Sequence, residues 1–325
     1  MYLKKPPWGE DLLSSSPSTS SSSSSSTSAS SSSPSLPPSV VDLVKSLNKE
    51  RVYRELTLTL GTALRNATAE FSFLRVKGLS TLLKFLSSLS ESNHTIELFQ
   101  ETQTVKNLQV VPILFEHSLA PSQSCSIQTL DHNSHDEPAK VTSPPTENEV
   151  ALSLRVLEGC CLLDKGCRIL AHQHMAVKVL IELPSAGGVI QQIAFLDALI
   201  ALMLDSYENQ KDFEHCHGVR KIAELVKTRS VDEKVRLKSA EFLLLLVGNV
   251  LPSTKFTSSI EYGEQREEAL RMESLQDDIL ELLGEEIASL LWAVGQVGSF
   301  DLEQKHSSLY FQAQQLVDTL DSKFW

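Results

Sequence analysis

Residues 177–183 read VKVLIEL, and residues 219–225, 42 positions further along the chain, read VRKIAEL. Both stretches place apolar residues at the first, fourth and seventh positions, which is the spacing of one face of an α-helix. The similarity continues beyond these stretches: Ala198, Leu202 and Met203 correspond, at the same spacing, to Ala240, Leu244 and Leu245. A period of this length without strand-like alternation is typical of stacked helical repeats. The sequence therefore predicts an all-α, armadillo/HEAT-like helical-repeat solenoid.

The helical pattern extends on both sides of the two matching stretches. Leu79, Leu82 and Phe85 follow Gly78 with the same spacing, and this predicts a third, weaker copy of the same helix. In the first part of the chain, further helices are predicted from residue 40 to the third copy and over about 96–103 and 108–119. In the second part, helices are predicted throughout 149–248, in an amphipathic segment at 264–294 and over 302–320. Gly187 and Gly188 are expected to form a turn between two helices.

The composition limits the classes of function. The chain of 325 residues is 41% hydrophobic and carries a formal net charge of −12. An acidic chain is poorly suited to neutralising phosphates, so we expect neither nucleic-acid binding nor attraction to an anionic membrane surface. No apolar run is long enough to span a membrane, and five irregularly spaced cysteines do not suggest a disulfide framework. We therefore expect a cytoplasmic protein with free thiols.

Two low-complexity segments define the expected domain organisation. Residues 1–39 form a Ser/Pro-rich head that cannot bury enough apolar surface to fold, and residues 120–147 are expected to be a disordered insertion between repeats. The helical domain then covers residues 40–325, interrupted by that insertion. The head is compatible with a plain linker, with a phosphorylation-controlled tail, or with an organelle transit peptide. The phosphorylation candidates are serines that precede proline, namely Ser16, Ser33 and Ser143.

Residues 204–246 carry a likeness to a known family. Asn209 is followed after a short gap by Phe213 and then by Gly218, and further on Lys238 precedes Glu241. In this order and spacing the segment resembles the cell division control protein 14 family, the armadillo-like component of the septation initiation network rather than the phosphatase of the same name. Weaker likeness covers residues 50–119 and the rest of 150–250, whereas the head, the insertion and the chain beyond residue 250 do not match.

The resemblance implies a function that composition and periodicity do not reach. Members of this family are non-catalytic subunits that bind a sterile-20-like (germinal-centre class) protein kinase and support it during cytokinesis. By this resemblance the chain is a scaffold in cell-division signalling, recruited from the cytoplasm to spindle-pole or division-site structures. The residue pattern by itself also suits an armadillo-type interaction adaptor in trafficking or ubiquitin pathways. Neither hypothesis indicates an oligomeric state.

The strongest candidate surface is a basic cluster on an otherwise acidic chain. It comprises Arg220, Lys221, Lys227, Arg229, Lys234, Arg236 and Lys238. Such a cluster could receive an acidic or phosphorylated segment of a partner. It could equally be a solvated helix face that pairs with nearby carboxylates. The residues predicted to form or support a partner interface are Asn209, Phe213, Arg220, Lys227, Arg229, Arg236, Lys238 and Glu241, with Phe213 equally suited to the core.

Catalytic and metal-binding interpretations are weaker. A cysteine phosphatase needs an arginine six positions after its cysteine, and no cysteine of this chain has one. Cys160, Cys161 and Cys167 could be collected with His172 and His174 into a zinc site, but adjacent cysteines on a helix point to different sides. Buried core thiols are the expected arrangement. No phosphate-binding glycine motif is present, so we predict neither enzyme activity nor a cofactor.

Overall fold

The computed structural model describes residues 38–119, 143–183, 187–247, 262–295 and 302–324. These residues form helices and contain no strand, which confirms the all-α prediction. The helices are α1 (Pro38–Ala67), α2 (Ser72–Leu89), α3 (Asn93–Gln103), α4 (Val110–Ile113), α5 (Glu147–Leu163), α6 (Lys165–Gln173), α7 (Ala176–Glu182), α8 (Val189–Met203), α9 (Tyr207–His215), α10 (Gly218–Lys227), α11 (Glu233–Leu245), α12 (Tyr262–Leu283), α13 (Glu285–Gly295) and α14 (Leu302–Phe324).

The chain divides into two compact units, residues 1–47 and residues 48–325. In the first unit the structure describes residues 38–47, which are helical and carry Leu43, Val44 and Leu47 with more than half of their surface exposed. The second unit contains α2 to α14 and most of the buried apolar side chains. None of the described helices is long and apolar enough to cross a membrane.

The two matching sequence stretches form equivalent helices. VKVLIEL lies in α7 and VRKIAEL lies in α10, and these helices begin 42 residues apart, at Ala176 and Gly218. Each follows a residue in the left-handed region, Met175 with φ 52° and His217 with φ 53°. Because that backbone conformation is uncommon outside glycine, its recurrence at the same distance shows that the sequence echo is also a structural one.

Extensive contacts in the second unit connect helices that are not neighbours in sequence. Helix α2 packs against α5, α5 against α8, α8 against α11, and α11 against α14. We call these five helices the central row. In each pair two α-helices lie between the two members along the chain, so the same arrangement recurs from α2 to α14.

The predicted third copy of the α7 pattern is wrong. Gly78, Leu79, Leu82 and Phe85 do not begin a short helix but lie in the middle of α2, an 18-residue helix of the central row. Gly78 is needed there for a different reason, because a Cβ at this position would lie 2.4 Å from the backbone nitrogen of Ala67 at the end of α1. The close approach of α2 to α1 therefore explains the glycine.

Several helix ends follow directly from the local sequence. Asp164 accepts hydrogen bonds from the backbone N–H groups of Gly166 (2.9 Å) and Cys167 (3.2 Å) at the start of α6. Asp232 accepts one from the N–H of Lys234 (2.9 Å) at the start of α11. Such caps satisfy donors that have no partner inside the helix. The amphipathic segment predicted at 264–294 is divided between α12 and α13 by Gly284, whose φ of 87° ends the first helix.

Candidate interaction surface

Asn209 is an internal connector rather than a surface residue. It lies in α9 with no exposed surface. Its Nδ2 donates to the carbonyl oxygens of Arg168 (3.2 Å) and Leu202 (3.1 Å) and to Oγ of Ser206 (2.9 Å). These bonds join α9 to the first half of α6 and to the end of α8. Asn209 can therefore support a partner surface only by fixing the helices that carry it.

Phe213 belongs to the core. Its ring is 1% exposed and lies 5.8 Å, between centroids, from the ring of Phe242 in α11. Gly218 makes room for this ring, because a Cβ on Gly218 would lie 2.1 Å from it. Of the two roles expected for Phe213, the structure shows the core role, and its spacing to Gly218 reflects packing at the start of α10.

Arg236 and Arg229 of the basic cluster both face Asp321 of α14. Arg236 is 7% exposed and holds the carboxylate with two nitrogens, at 2.6 Å and 3.3 Å, while its Nε donates to the carbonyl oxygen of Val226 (2.9 Å). Arg229 is exposed and lies 3.6 Å from the same carboxylate. The hydrogen bond from Arg236 is the main reason that the pKa of Asp321 is lowered from its usual value. These pairs attach α14 to α11 and to the segment that precedes α11.

Lys238 joins α11 to α8. Its Nζ lies 2.8 Å from the carboxylate of Asp197 and 3.2 Å from that of Glu241. Burial lowers the pKa of Lys238, but the hydrogen bond and the charge of Asp197, together with Glu241, outweigh it and raise the pKa above its usual value. Glu158 of α5 extends this cluster, since burial and then the charge of Asp197 raise its pKa. Lys238 and Glu241 therefore contribute to contacts within the central row.

Three other members of the basic cluster have different surroundings. Lys227 donates to the carbonyl oxygen of Leu282 (2.9 Å) near the end of α12. Arg220 and Lys234 are exposed, and neither forms an ion pair with another of the described residues. The structure thus distinguishes the basic residues that contact other helices from Arg220 and Lys234, which face solvent. Sequence spacing could not make this distinction.

A second polar site was not singled out from the sequence. Arg75 of α2 is 5% exposed and pairs with Glu149 of α5, which has no exposed surface, at 3.0 Å. The same guanidinium donates to the carbonyl oxygens of Ala69 (3.3 Å) and Glu70 (2.8 Å), and to the carbonyl oxygen (3.0 Å) and Oγ (3.1 Å) of Ser143. We call this arrangement the Arg75 clamp. It connects the start of α2, the start of α5 and the segment before α5.

Two further contacts complete the Arg75 clamp. Ser72 donates its hydroxyl hydrogen to Glu149. Thr146 and Glu149 form a capping box, in which the N–H of Glu149 donates to Oγ1 of Thr146 and the N–H of Thr146 donates to Glu149. A sequence signal for this site exists, because Thr-x-x-Glu before an apolar run marks a helix start. Nothing in that signal reveals the arginine that lies 74 positions earlier.

The phosphorylation candidates have different positions. Ser143 is exposed and belongs to the Arg75 clamp, where its Oγ also donates to the carbonyl oxygen of Glu70 (3.4 Å). Ser16 and Ser33 lie outside the described residues, as do most of the head and residues 120–142 of the predicted insertion.

The cysteines occupy the positions expected of core thiols. Cys160, Cys161 and Cys167 have no exposed surface. A hydrogen bond with Cys167, followed by burial, raises the pKa of Cys160, and burial raises that of Cys161. Thiols in such surroundings are unreactive. Among the described residues no group of three or more His, Cys, Asp or Glu side chains is arranged to hold a metal ion.

One arrangement superficially resembles catalytic machinery. Nδ1 of His172 lies 2.8 Å from the carboxylate of Asp212, as in an oriented general base. The nearby Cys216 has its pKa raised by burial and then by the charge of Asp212. A catalytic cysteine needs the opposite shift, because the thiolate is the nucleophile. The contact therefore serves to join α6 to α9.

Comparison with known proteins gives one informative match. No curated protein matches the sequence significantly. A crystal structure of an engineered protein from the Northeast Structural Genomics Consortium aligns with a TM-score of 0.40 and 13% sequence identity, over 81% of this chain and 96% of that chain. A similarity of this size supports no assignment of fold or function.

The informative match is to a family profile described as "Cell division control protein 14, SIN component", over residues 127–279. The matched region contains α5 to α11, the whole basic cluster and much of α12. It begins at residue 127, within the insertion that was expected not to match, and continues to residue 279, past residue 250, where the resemblance was expected to stop; it does not include residues 50–119. The match suggests a role in septation signalling at the division site. Residues 127–279, a little under half of the chain, match the cell division control protein 14, SIN component, family, which confirms the family resemblance seen in the sequence.

Proposed function

We propose that this chain is a non-catalytic adaptor that binds a sterile-20-like protein kinase and supports its activity and placement during cell division. The observation that carries the proposal is the family match over residues 127–279, a region that contains both the central helices and the basic cluster. The proposed location is the cytoplasm, with recruitment to spindle-pole or division-site structures.

The arrangement of helices supports a repeat scaffold. The packing of every third helix against the next recurs along the central row from α2 to α14. The units α6–α8 and α9–α11 also share the spacing of their apolar residues and a residue in the left-handed region before their second helix. Stacked units of this kind bury their apolar faces against one another and leave an extended outer surface. We therefore infer an armadillo-like domain over residues 40–325, with residues 1–39 as a head and residues 120–147 as an insertion.

The exposed part of the basic cluster is the proposed contact for the kinase. Arg220 and Lys234 face solvent on a chain whose formal net charge is −12. An acidic or phosphorylated segment of a partner is attracted to this positive patch and repelled by the negatively charged regions elsewhere on the chain. Arg229, Arg236 and Lys238 contribute by holding the helices that present this surface.

The proposal is tested by affinity purification of the full-length chain from dividing cells, followed by mass spectrometry. We expect recovery of a sterile-20-like kinase, and loss of most of that kinase with the double variant Arg220→Glu plus Lys234→Glu. Reversing the charges of Arg229 and Lys238 would be a poorer test, because Arg229 pairs with Asp321 of α14 and Lys238 pairs with Asp197 of α8, so both changes would weaken contacts within the protein.

A matched control keeps the change in net charge constant. Lys77→Glu plus Lys84→Glu alters two exposed residues of α2, outside the matched region, and should retain the kinase. Recovery of no kinase, or equal recovery with both double variants, would contradict the proposal. Recovery of trafficking or ubiquitin-transfer components in place of a kinase would support the alternative adaptor function.

A further inference from the structure

We propose that Ser143 is a phosphorylation site for a proline-directed protein kinase, and that its phosphorylation releases the segment before α5 from the Arg75 clamp. The inference is independent of the adaptor function proposed above. It rests on the geometry of the clamp and on the chemistry of the Ser143 side chain.

Ser143 combines exposure with a suitable local sequence. Its side chain is exposed, and Pro144 and Pro145 follow it directly. A proline after the target serine is what a proline-directed kinase requires. In the reaction Oγ of Ser143 attacks the γ-phosphorus of ATP, a new O–P bond forms, and the bond from that phosphorus to the bridging oxygen breaks as ADP leaves. The hydroxyl proton passes to the catalytic carboxylate of the kinase.

The unmodified clamp is balanced in both charge and hydrogen bonds. One buried guanidinium faces one buried carboxylate, Glu149. All five N–H groups of Arg75 have acceptors: Nε donates to Glu149, Nη1 donates to two backbone carbonyls, and Nη2 is shared between Ser143 and Glu149. The Ser143 hydroxyl in turn donates to the carbonyl oxygen of Glu70.

Phosphorylation removes that balance. A phosphoserine adds a charge of about −1.5 to −2 at neutral pH and replaces the hydroxyl donor by acceptor oxygens. The carbonyl oxygen of Glu70 then faces an acceptor instead of a donor. A phosphate that kept the hydrogen bond from Nη2 of Arg75 would lie beside the carboxylate of Glu149, which shares the same nitrogen and has no exposed surface, so the two negative charges would repel each other.

Release of Ser143 is the less costly outcome. Ser143 is already at the surface, so its phosphate can move into solvent while the pair between Arg75 and Glu149 remains. The N-terminus of α5 would attract the phosphate weakly, but Glu147 and Glu149 already supply negative charge to its first turn. We therefore expect the segment 143–146 to detach and the start of α5 to lose its capping contacts.

The first test asks whether the folded protein accepts the phosphate. The full-length chain and a synthetic peptide of residues 138–149 are each incubated with a purified proline-directed kinase and ATP, and the products are mapped by mass spectrometry. We expect phosphate on Ser143 in both, and none at this position in Ser143→Ala. Modification of the peptide without modification of the protein would overturn the proposal.

The second test measures release by amide hydrogen exchange. In the phosphorylated protein, the amides of Glu149 and Val150 should exchange about tenfold faster or more, because their hydrogen bonds to Thr146 are lost. Exchange in α8 should not change, and Ser143→Ala should have little effect, because the backbone carbonyl of residue 143 still accepts from Arg75. Equal or slower exchange at Glu149 and Val150 after phosphorylation would show that the clamp holds.

Discussion

At the scale of single residues, the positions in α9 and α10 that resemble the family are residues that pack inside the protein. Asn209 joins α9 to α6 and α8, and Phe213 fills the space that Gly218 leaves open. A glycine whose missing Cβ is occupied by a neighbouring ring cannot be replaced without displacing that ring. Gly61 of α1 provides the opposite case, because a Cβ there would meet only a side-chain atom of Leu108 at 3.8 Å.

We predict that Gly218→Ala destabilises the protein by about 1–3 kcal/mol, because the new methyl group overpacks the core against Phe213. Gly61→Ala is the matched control and should stabilise by about 0.5–1 kcal/mol through helix propensity alone. Urea unfolding monitored by circular dichroism measures both changes. If the two substitutions shift the midpoint in the same direction, the packing argument for Gly218 is wrong.

At the scale of helices, the basic cluster mainly connects elements that are distant in sequence. Arg236 reaches 85 positions along the chain to Asp321, and Lys238 reaches Asp197 on the preceding helix of the central row. The contact between Lys238 and Glu241 agrees with the sequence-based alternative of a solvated face paired with nearby carboxylates. The partners of Lys227, Arg229 and Arg236 lie on helices whose position no local pattern specifies.

We predict that Asp321→Asn lowers the free energy of unfolding at pH 7 by about 1.5–3 kcal/mol, because it removes the charge from hydrogen bonds made by a buried guanidinium. The pKa of Asp321 is lowered in the folded state, so its stabilisation is present above the unfolded pKa of a carboxyl group and is lost as the pH falls through the folded pKa. The difference between wild type and variant should therefore shrink below that pKa.

The control for this prediction lies one turn earlier in α14. Asp318 is exposed and accepts a hydrogen bond from Gln314 of its own helix (3.0 Å). Asp318→Asn should change stability by less than about 0.5 kcal/mol, as is usual for surface substitutions. Denaturant unfolding at neutral and acidic pH distinguishes the two positions. A pH-independent loss for Asp321→Asn would contradict the ionic origin of its effect.

At the scale of the whole molecule, stability should be distributed along the central row. Each of its helices packs mainly on the members before and after it, and α14 buries Ala313, Leu316, Val317 and Leu320 at the end of the row. In stacked arrays of this kind, stability is approximately a sum of terms for units and for their nearest-neighbour interfaces. The loss of stability caused by a change at one end of the central row should therefore decrease with distance from that end.

We predict that a chain ending at residue 295, which lacks α14, loses hydrogen-exchange protection in α11 while α5 remains close to wild type. The physical reason is that removal of α14 uncovers the face of α11 on which it packs and leaves Arg236 without its carboxylate. Exchange followed by peptide mass spectrometry provides the measurement. Equal loss of protection in α5 and α11 would show that the described helices unfold as one cooperative body.

The sequence by itself determined the class of fold, the family likeness and the character of individual helices. Apolar spacing is a local property, so the echo between α7 and α10 and the buried thiols of α5 could be identified without coordinates. The misplaced third copy shows the limit of that reasoning. The same spacing in α2 serves a longer helix with different neighbours, and only packing distinguishes the two.

Tertiary structure alone decided which polar residues are partners. The joining of Arg75 to Glu149 and Ser143, and of Arg236 to Asp321, depends on helices brought together by burial of apolar surface elsewhere. A charged side chain carries no local signal of the distant group that it will meet. The sequence could therefore point to the basic cluster and to Ser143, whereas the structure decided which cations stabilise helix contacts and which groups surround Ser143.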